Sequence, residues 1–269
     1  MSRYKIGQLT KTMGVSPHLL KHYEKFDLIY PRKDQETNYR YYDFGQFGRL
    51  IQSKKYRNLG FSIKDTSDMI NGANNETLNR HLNTHVNQLV ENIAKLQLQK
   101  QLTEIIYKES QQCDAYLDQW FIEMMPGYHI LKQSNNRELI EVNHSLLNDE
   151  INLIDYVPIV ESLLLIPKEN LQAPDFHYHW CLGIQDERLD QLAVTLDERF
   201  IFVPSHRAFV TYVKLETPYT ENQRLILKIK SLFAPYPFTC CDNLLATLIK
   251  SSTEGEDQYQ YLKVYIPIH

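Results

Sequence analysis

Apolar residues recur at helical spacing from the start of the chain. Ile6, Leu9 and Met13 line one face of a short helix that breaks at Gly14-Val15. A second helix begins at once: Ser16 is placed to cap it, and Pro17 suits its first position, where a missing N–H costs nothing. Two short helices around a turn containing glycine form a helix-turn-helix pattern. In the second helix, Pro17 to about Phe26, Leu19, Leu20, Tyr23 and Phe26 can supply a buried side, although Leu19 and Leu20 point about 100° apart. His18, Lys21, His22 and Lys25 are left to face outward, as donors and cations suited to phosphates and base edges in a major groove. A small helical domain with a basic, solvated face is the plainer reading of these residues.

Next come Tyr30-Pro31-Arg32-Lys33, a polar run, and Asn38-Tyr39-Arg40-Tyr41-Tyr42. Turn formers between two β-prone ends predict a short hairpin, or wing. Arg40 among tyrosines reads as a backbone clamp, guanidinium and phenol hydroxyls both addressing phosphate oxygens. Asp43 is placed to cap a third helix carrying Phe44, Phe47, Leu50, Ile51 and Tyr56, which ends at Asn58 to Gly60. Ser62-Ile63-Lys64-Asp65 is a capping-box variant that opens a fourth helix to about Asn71.

From Thr77 to about Trp120 the pattern is helical, without Gly or Pro. Leu82, Val86, Leu89, Ile93 and Leu96 follow a 4-3-4-3 spacing, an a/d seam. The register lapses at Lys100 and Thr103, and Leu98, Leu102, Ile105 and Ile106 continue a rotated apolar face. One helix cannot bury such a seam alone, so a second copy of the chain is the default partner and the chain's own second half the alternative. Gln112 to Gly127 reads as a hinge. Beyond it the period changes. Strands are expected at Tyr128 to Lys132, Phe176 to Ile184, Phe200 to Val203, Ala208 to Leu215, Leu244 to Ile249 and Tyr259 to Ile268. Helices are expected at Ile154 to Leu165 and Asn222 to Phe233. The layout of strand, helix and strand pair occurs twice, which predicts an α+β domain with a pseudo-repeat. The resulting divisions are 1–75, 76–119 and 120–269.

Charge sharpens this division. The net charge is −4 over 269 residues, but residues 1–64 hold 13 Lys+Arg against 5 Asp+Glu, and the remainder 16 against 28. A head of +8 on a body of −12 points to a polyanion partner at one end only. Cys113, Cys181, Cys240 and Cys241 form no C-x-x-C pair. With no signal peptide and no apolar run of membrane length, free thiols in a reducing cytoplasm are expected.

The order I-G-Q-L…G-V-S-P…L-K-H-Y-E-K…L-I…N-Y-R-Y-Y-D resembles the MerR family of winged helix-turn-helix transcription regulators, and Leu59-Gly60-Phe61-Ser62-Ile63 matches the start of that family's second wing. The resemblance covers about the first 110 residues. It implies an antiparallel coiled-coil homodimer on double-stranded promoter DNA. Such a dimer distorts an overlong spacer so that RNA polymerase engages both promoter elements. It also gives Arg57 a backbone-contacting role and makes the DNA-binding set Ser16, Pro17, His18, Lys21, His22, Tyr23, Tyr39, Arg40, Tyr41 and Arg57. The family usually has Arg where His18 and Lys21 stand, and often Tyr at His22, which puts the operator sequence in doubt.

The second half resembles the GyrI-like effector-binding domains of multidrug-responsive MerR activators of the BmrR type. The residues that carry this are Phe202-Val203-Pro204-Ser205-His206-Arg207-Ala208 and the closing Val264-Tyr265-Ile266-Pro267. Strand alternation puts Tyr178 and Trp180 on one face, and Tyr259, Tyr261 and Tyr265 on one face. Flat rings around a pocket accept planar apolar or cationic ligands, and the same rings can equally fill a core. The resemblance places pocket tyrosines near Tyr156, Tyr178, Tyr212 and Tyr259. It also puts Leu245 where activators of lipophilic cations carry a buried glutamate. An apolar or neutral effector, or a cation held by ring faces, is therefore expected.

No catalytic grouping, metal set or cofactor motif is apparent: there is no phosphate-cradling Gly-rich loop and no G-x-S-x-G, with 9 glycines in all. His81 and His85 stand four apart without a third ligand and read as a solvated helix flank. The expected function is a ligand-responsive transcription regulator, not an enzyme, acting without a membrane. A thiol- or metal-responsive regulator and a small-molecule hydrolase are the alternatives.

Overall fold

The computed structural model describes residues 3–140, 146–147, 151–192, 194–217 and 223–269. It contains two compact units, Met1–Gln97 and Leu98–His269.

In the first unit, β1 (Tyr4–Lys5) leads into α1 (Ile6–Met13), and Gly14 closes that helix in the left-handed region at φ 63°. That conformation suits glycine, which has no Cβ to clash. Helix α2 (Pro17–Lys25) starts as expected, with the Leu19 N–H donating to Ser16 Oγ at 3.1 Å. Strands β2 (Arg32–Lys33) and β3 (Arg40–Tyr42) pair, and β1 adds to the other side of β3. At the hairpin tip, Asp34 Oδ1 accepts from the Glu36 and Thr37 N–H groups and the Thr37 hydroxyl, and these bonds hold its carboxyl below its ordinary range. Helices α3 (Phe44–Asn58) and α4 (Ile63–Asn71) are capped by Asp43 and Ser62. Leu9, Leu20, Tyr23, Leu28, Ile29, Tyr42 and Leu50 form the core between them.

Helix α5 (Asn75–Ala115) is continuous for 41 residues, about 60 Å at 1.5 Å per residue. It stops short of the expected Trp120. The Asp118 N–H, at positive φ, donates instead to the Tyr212 carbonyl, and the residues read as a hinge enter a strand, β4 (Trp120–Met125). Aromatic and β-prone residues with a partner strand available prevail there over a helical pattern.

The second unit continues with β5 (Tyr128–Lys132) and two short hairpins, β6 (Ser134–Asn135) with β7 (Glu138–Leu139) and β8 (Leu146–Leu147) with β9 (Ile151–Asn152). The helix expected over Ile154 to Leu165 is absent. A single 3-10 turn, Leu153–Tyr156, is followed by β10 (Val160–Ile166). Pro158 interrupts any helix there, and a strand buried on both faces reads as an unbroken apolar run rather than an alternating one. Strand β11 (His179–Gln185), a 3-10 turn Asp186–Gln191, β12 (Ile201–Val203), β13 (His206–Glu216), α6 (Arg224–Phe233), β14 (Leu244–Glu254) and β15 (Asp257–Pro267) complete the unit. The expected start of α6, Asn222, lies outside the described residues.

One sheet organises this unit, in the order β12-β5-β11-β10-β14-β15-β13-β4, with every neighbouring pair antiparallel. Helix α6 covers one face with Leu225, Ile226, Ile229 and Phe233 against Phe209, Leu244 and Val264. On the opposite side, Cys113 near the end of α5 packs with Tyr212 and Tyr261. No helix of the described residues is long and apolar enough to cross a membrane.

Candidate nucleic-acid interface and candidate effector cavity

Helix α2 sorts its side chains as its spacing requires. Leu20 and Tyr23 are buried, while His18, Lys21, His22 and Lys25 are exposed along the opposite side, with Ser16 and Pro17 at its exposed start. Tyr23 differs from the other members of the expected DNA-contacting set in that its ring is buried. At 3% exposure its ring belongs to the core, and burial raises its phenol pKa while the Arg57 charge lowers it.

The wing is tied to α2 by one carboxylate. Glu24 accepts from Arg40 Nε at 3.1 Å and from the Tyr42 hydroxyl at 2.5 Å, which fixes the guanidinium while leaving it 38% exposed. Burial and Glu24 together push the Tyr42 phenol far above its usual range. Tyr39 is exposed beside Lys5, whose ammonium lies 5.6 Å from its ring centroid; Tyr41 is half-buried. Arg57 is exposed and donates from Nη1 to the Phe61 carbonyl, which fixes it to the turn before α4. His85 departs from the expected solvated flank: its ring lies 4.1 Å from that of Phe61, and Nε2 is 2.8 Å from the Leu59 carbonyl. The seam residues Val86, Leu89, Ile93 and Leu96 are 44–63% exposed.

In the second unit a cavity of about 290 Å3 lies between the sheet and the last turns of α5, near the lower end of small-ligand cavities (~300 Å3). Ile105, Ile106, Val157, Pro158, Leu248 and Ile249 give it apolar walls; Glu109, Glu161, Arg188 and Lys263 give it charge. Glu161, on β10, accepts from the Tyr128 hydroxyl (2.9 Å), Gln185 Nε2 (2.8 Å) and Arg188 Nη1 (3.2 Å). Its carboxyl pKa is raised, because burial outweighs the opposing pull of Tyr128, Arg188 and Gln185. Lys263 lies 2.8 Å from Glu123 and 3.2 Å from Glu109. Burial disfavours its charge, yet Tyr265 and those carboxylates leave its pKa raised. Tyr265 is pushed up to about 12, chiefly by burial. Gly183 lies directly across from Glu161, and Leu163 fills the space its side chain would take: a Cβ there would fall 2.2 Å from Leu163 Cδ2.

The six expected ligand residues do not line this cavity. Tyr156 packs at the periphery of the core around Leu153 and Ile184, and Tyr178 is buried beside Phe176 at 5.3 Å between rings. Trp180 donates from Nε1 to Ser162 Oγ, and Tyr212, fully buried, donates to Glu109 Oε1 at 2.7 Å. Tyr259 sits under the Lys214 ammonium, and Leu245 is fully buried beside Tyr265, Leu163 and Leu165. Where rings in strands pack on both sides, alternation does not by itself distinguish a cavity wall from a core. Glu161 stands on β10, the strand beside the one that carries Leu245, and accepts from the Tyr128 hydroxyl. Its signal in the sequence is a lone acid inside the apolar run Ile159 to Ile166. Lys263 inside Tyr261 to Ile266 is a matching basic signal.

Among the described residues no group of three His, Cys, Asp or Glu could hold a metal. Cys113 and Cys181 are fully buried, and burial raises their thiols to about 11 and about 12. Cys240 is half-buried and raised to about 11 for the same reason.

Residues 4–73 match the family described as MerR HTH family regulatory protein. Heavy metal-dependent transcription regulator 2 of Rhizobium meliloti (strain 1021) is 34% identical over 65 residues, which is 24% of this chain and 44% of that protein. The HTH-type transcriptional activator mta of Bacillus subtilis (strain 168) is 27% identical over 115 residues, 43% of this chain and 38% of that one. The chain thus spans less than half the length of the curated relatives it matches. Among solved structures, one titled as the cryo-EM structure of an EcmrR-DNA complex covers 99% of both chains at 14% identity with a TM-score of 0.37. With the capped α1–α2 pair, the wing and the outward cations already in place, residues 4–73 of this chain are a MerR-family helix-turn-helix domain.

Proposed function

We propose that the chain is a ligand-responsive, homodimeric transcription regulator that binds double-stranded promoter DNA through its first unit and a small molecule through its second. The observation that carries the DNA part is α2, a capped helix with a buried Leu20 and a solvent face of His18, Lys21, His22 and Lys25. His18, Lys21 and His22 reach base edges and phosphates, while Tyr39, Arg40, Tyr41 and Arg57 grip the backbone on either side. Two such heads, joined through the exposed α5 seam, meet two half-sites related by the dimer axis. Untwisting the intervening promoter for RNA polymerase costs on the order of several kcal/mol, supplied by those backbone contacts.

The effector reading rests on the cavity. Each charged side chain of its lining already has a partner of opposite sign, Glu161 in Arg188 and Lys263 in Glu109 and Glu123, so a charged ligand would have to compete with an existing pair. A neutral, flat, largely apolar molecule fills the Ile105, Val157, Pro158 and Leu248 walls without doing so. Glu109 belongs to both the cavity wall and α5, which gives an occupant a direct hold on that helix. The effector acts by binding one arrangement of the dimer more tightly than another. The polar groups of the cavity are occupied with one another rather than arranged as nucleophile and base, which supports a binding site over a hydrolytic one. A cytoplasmic location belongs to the same reading.

The test of the DNA part is titration of the full chain onto duplexes of different sequence at several salt concentrations. Arg40→Ala is expected to weaken all of them alike and to lower the salt slope by about 1. A changed base preference at unchanged salt dependence would mean that Arg40 reads bases and that the assignment is wrong.

A further inference from the structure

Glu161 is a carboxylate in an apolar-walled cavity, an arrangement that would draw in an organic cation if the carboxylate were free. It is not free. Arg188, on the 3-10 turn that follows β11, reaches it with Nη1 at 3.2 Å, and both side chains are about one-fifth exposed. Tyr128 and Gln185 complete its set of donors, from β5 and β11. Arg188 differs from those two in kind. They are neutral donors from the sheet itself, whereas Arg188 brings a full charge from a short turn outside the ladder. The two other charged groups of the lining, Glu109 on α5 and Lys263 on β15, are paired with one another, so neither neutralises Glu161.

We propose that Arg188 is the specificity-determining residue of the cavity, a tethered internal cation that occupies the position a ligand cation would take and so restricts the site to uncharged molecules. The inference rests on the cavity being the effector site. Its physical basis is competition. A ligand cation must displace a guanidinium held at high effective concentration by its own backbone, whereas a neutral ring needs only the apolar walls. Removing the tethered charge leaves a buried carboxylate unpaired, and that is the state in which an external cation gains most.

The experiment uses the full-length chain and two probes of the same shape, N-methylquinolinium and neutral methylnaphthalene, titrated calorimetrically into the parent protein, Arg188→Met and Arg188→Met/Glu161→Gln. In the parent, methylnaphthalene binds more tightly than the cation. Arg188→Met tightens the cation by about tenfold or more and changes the neutral probe by less than about threefold; adding Glu161→Gln abolishes the gain. Arg188→Gln, which keeps a donor and loses the charge, gives the same cation-selective gain and serves if the methionine variant does not fold. The proposal is overturned if neither variant gains for the cation, if both probes tighten equally, or if the gain survives Glu161→Gln. The two readings fail separately: if methylnaphthalene binds yet no cation gain appears, only the role of Arg188 is lost. If neither probe binds any of the proteins, the effector reading of the cavity falls with it.

Discussion

Glu161 reverses the usual behaviour of an ion-paired carboxylate. Pairing with Arg188 alone would lower its pKa, but burial dominates and the folded value is raised. A raised acid holds its proton more tightly folded than unfolded, so between the unfolded value, about 4.3, and the folded one, stability falls as pH rises. Glu161→Gln removes that dependence. The melting temperature of this variant relative to the parent is therefore expected to climb as pH rises through that window. A difference that shrank with pH would show that Arg188 outweighs burial. The residue also illustrates why the cavity was not legible. Tyr128 and Arg188 meet Glu161 from 33 and 27 residues away, on separate strands and a turn. No local period records that meeting. What was legible is the oddity of one acid inside Ile159 to Ile166, and the expectation of a helix there concealed it.

At the scale of elements, short-range rules were sufficient wherever the structure is local. Ser16, Asp43 and Ser62 cap the helices they precede, and the faces of α2 follow from its spacing. Elements that depend on a distant partner were misread: β4 exists because β13 pairs with it, and β10 because β11 and β14 flank it. Helix α5 combines both regimes. Through Leu96 its apolar stripe is regular and open to solvent; past Lys100 the stripe rotates, and Leu102 and Cys113 pack into the second unit. The break in register thus marks where the stripe passes from an open face to one packed within the second unit. Ile93→Lys puts a charge in the middle of the open stripe. It is expected to shift the protein from dimer to monomer by sedimentation while leaving the melting transition of the sheet unit in place. Loss of the dimer without such a variant-specific cause, or an unchanged dimer, would place the interface elsewhere.

At the scale of the whole molecule, the asymmetry of charge was the most informative simple feature of the sequence. A basic segment of 64 residues leads an acidic remainder, and the matched family covers that basic segment. The unit containing it nevertheless extends further, to Gln97. Past Asn75, α5 is tied back to the earlier helices by His85 on Phe61, together with the bond of its ring to the Leu59 carbonyl. A fragment of residues 1–97 is accordingly expected to melt above one of residues 1–75, with His85→Ala returning part of the difference; equal melting temperatures would make the stacking incidental. The same contact bears on modularity. A fusion built on residues 4–73 keeps the Leu59 to Phe61 turn in shape only if it carries α5 beyond His85. Because the stripe of α5 repeats every seven residues, insertions of whole sevens within it keep the apolar positions on one face, whereas an insertion of two or five residues breaks that face.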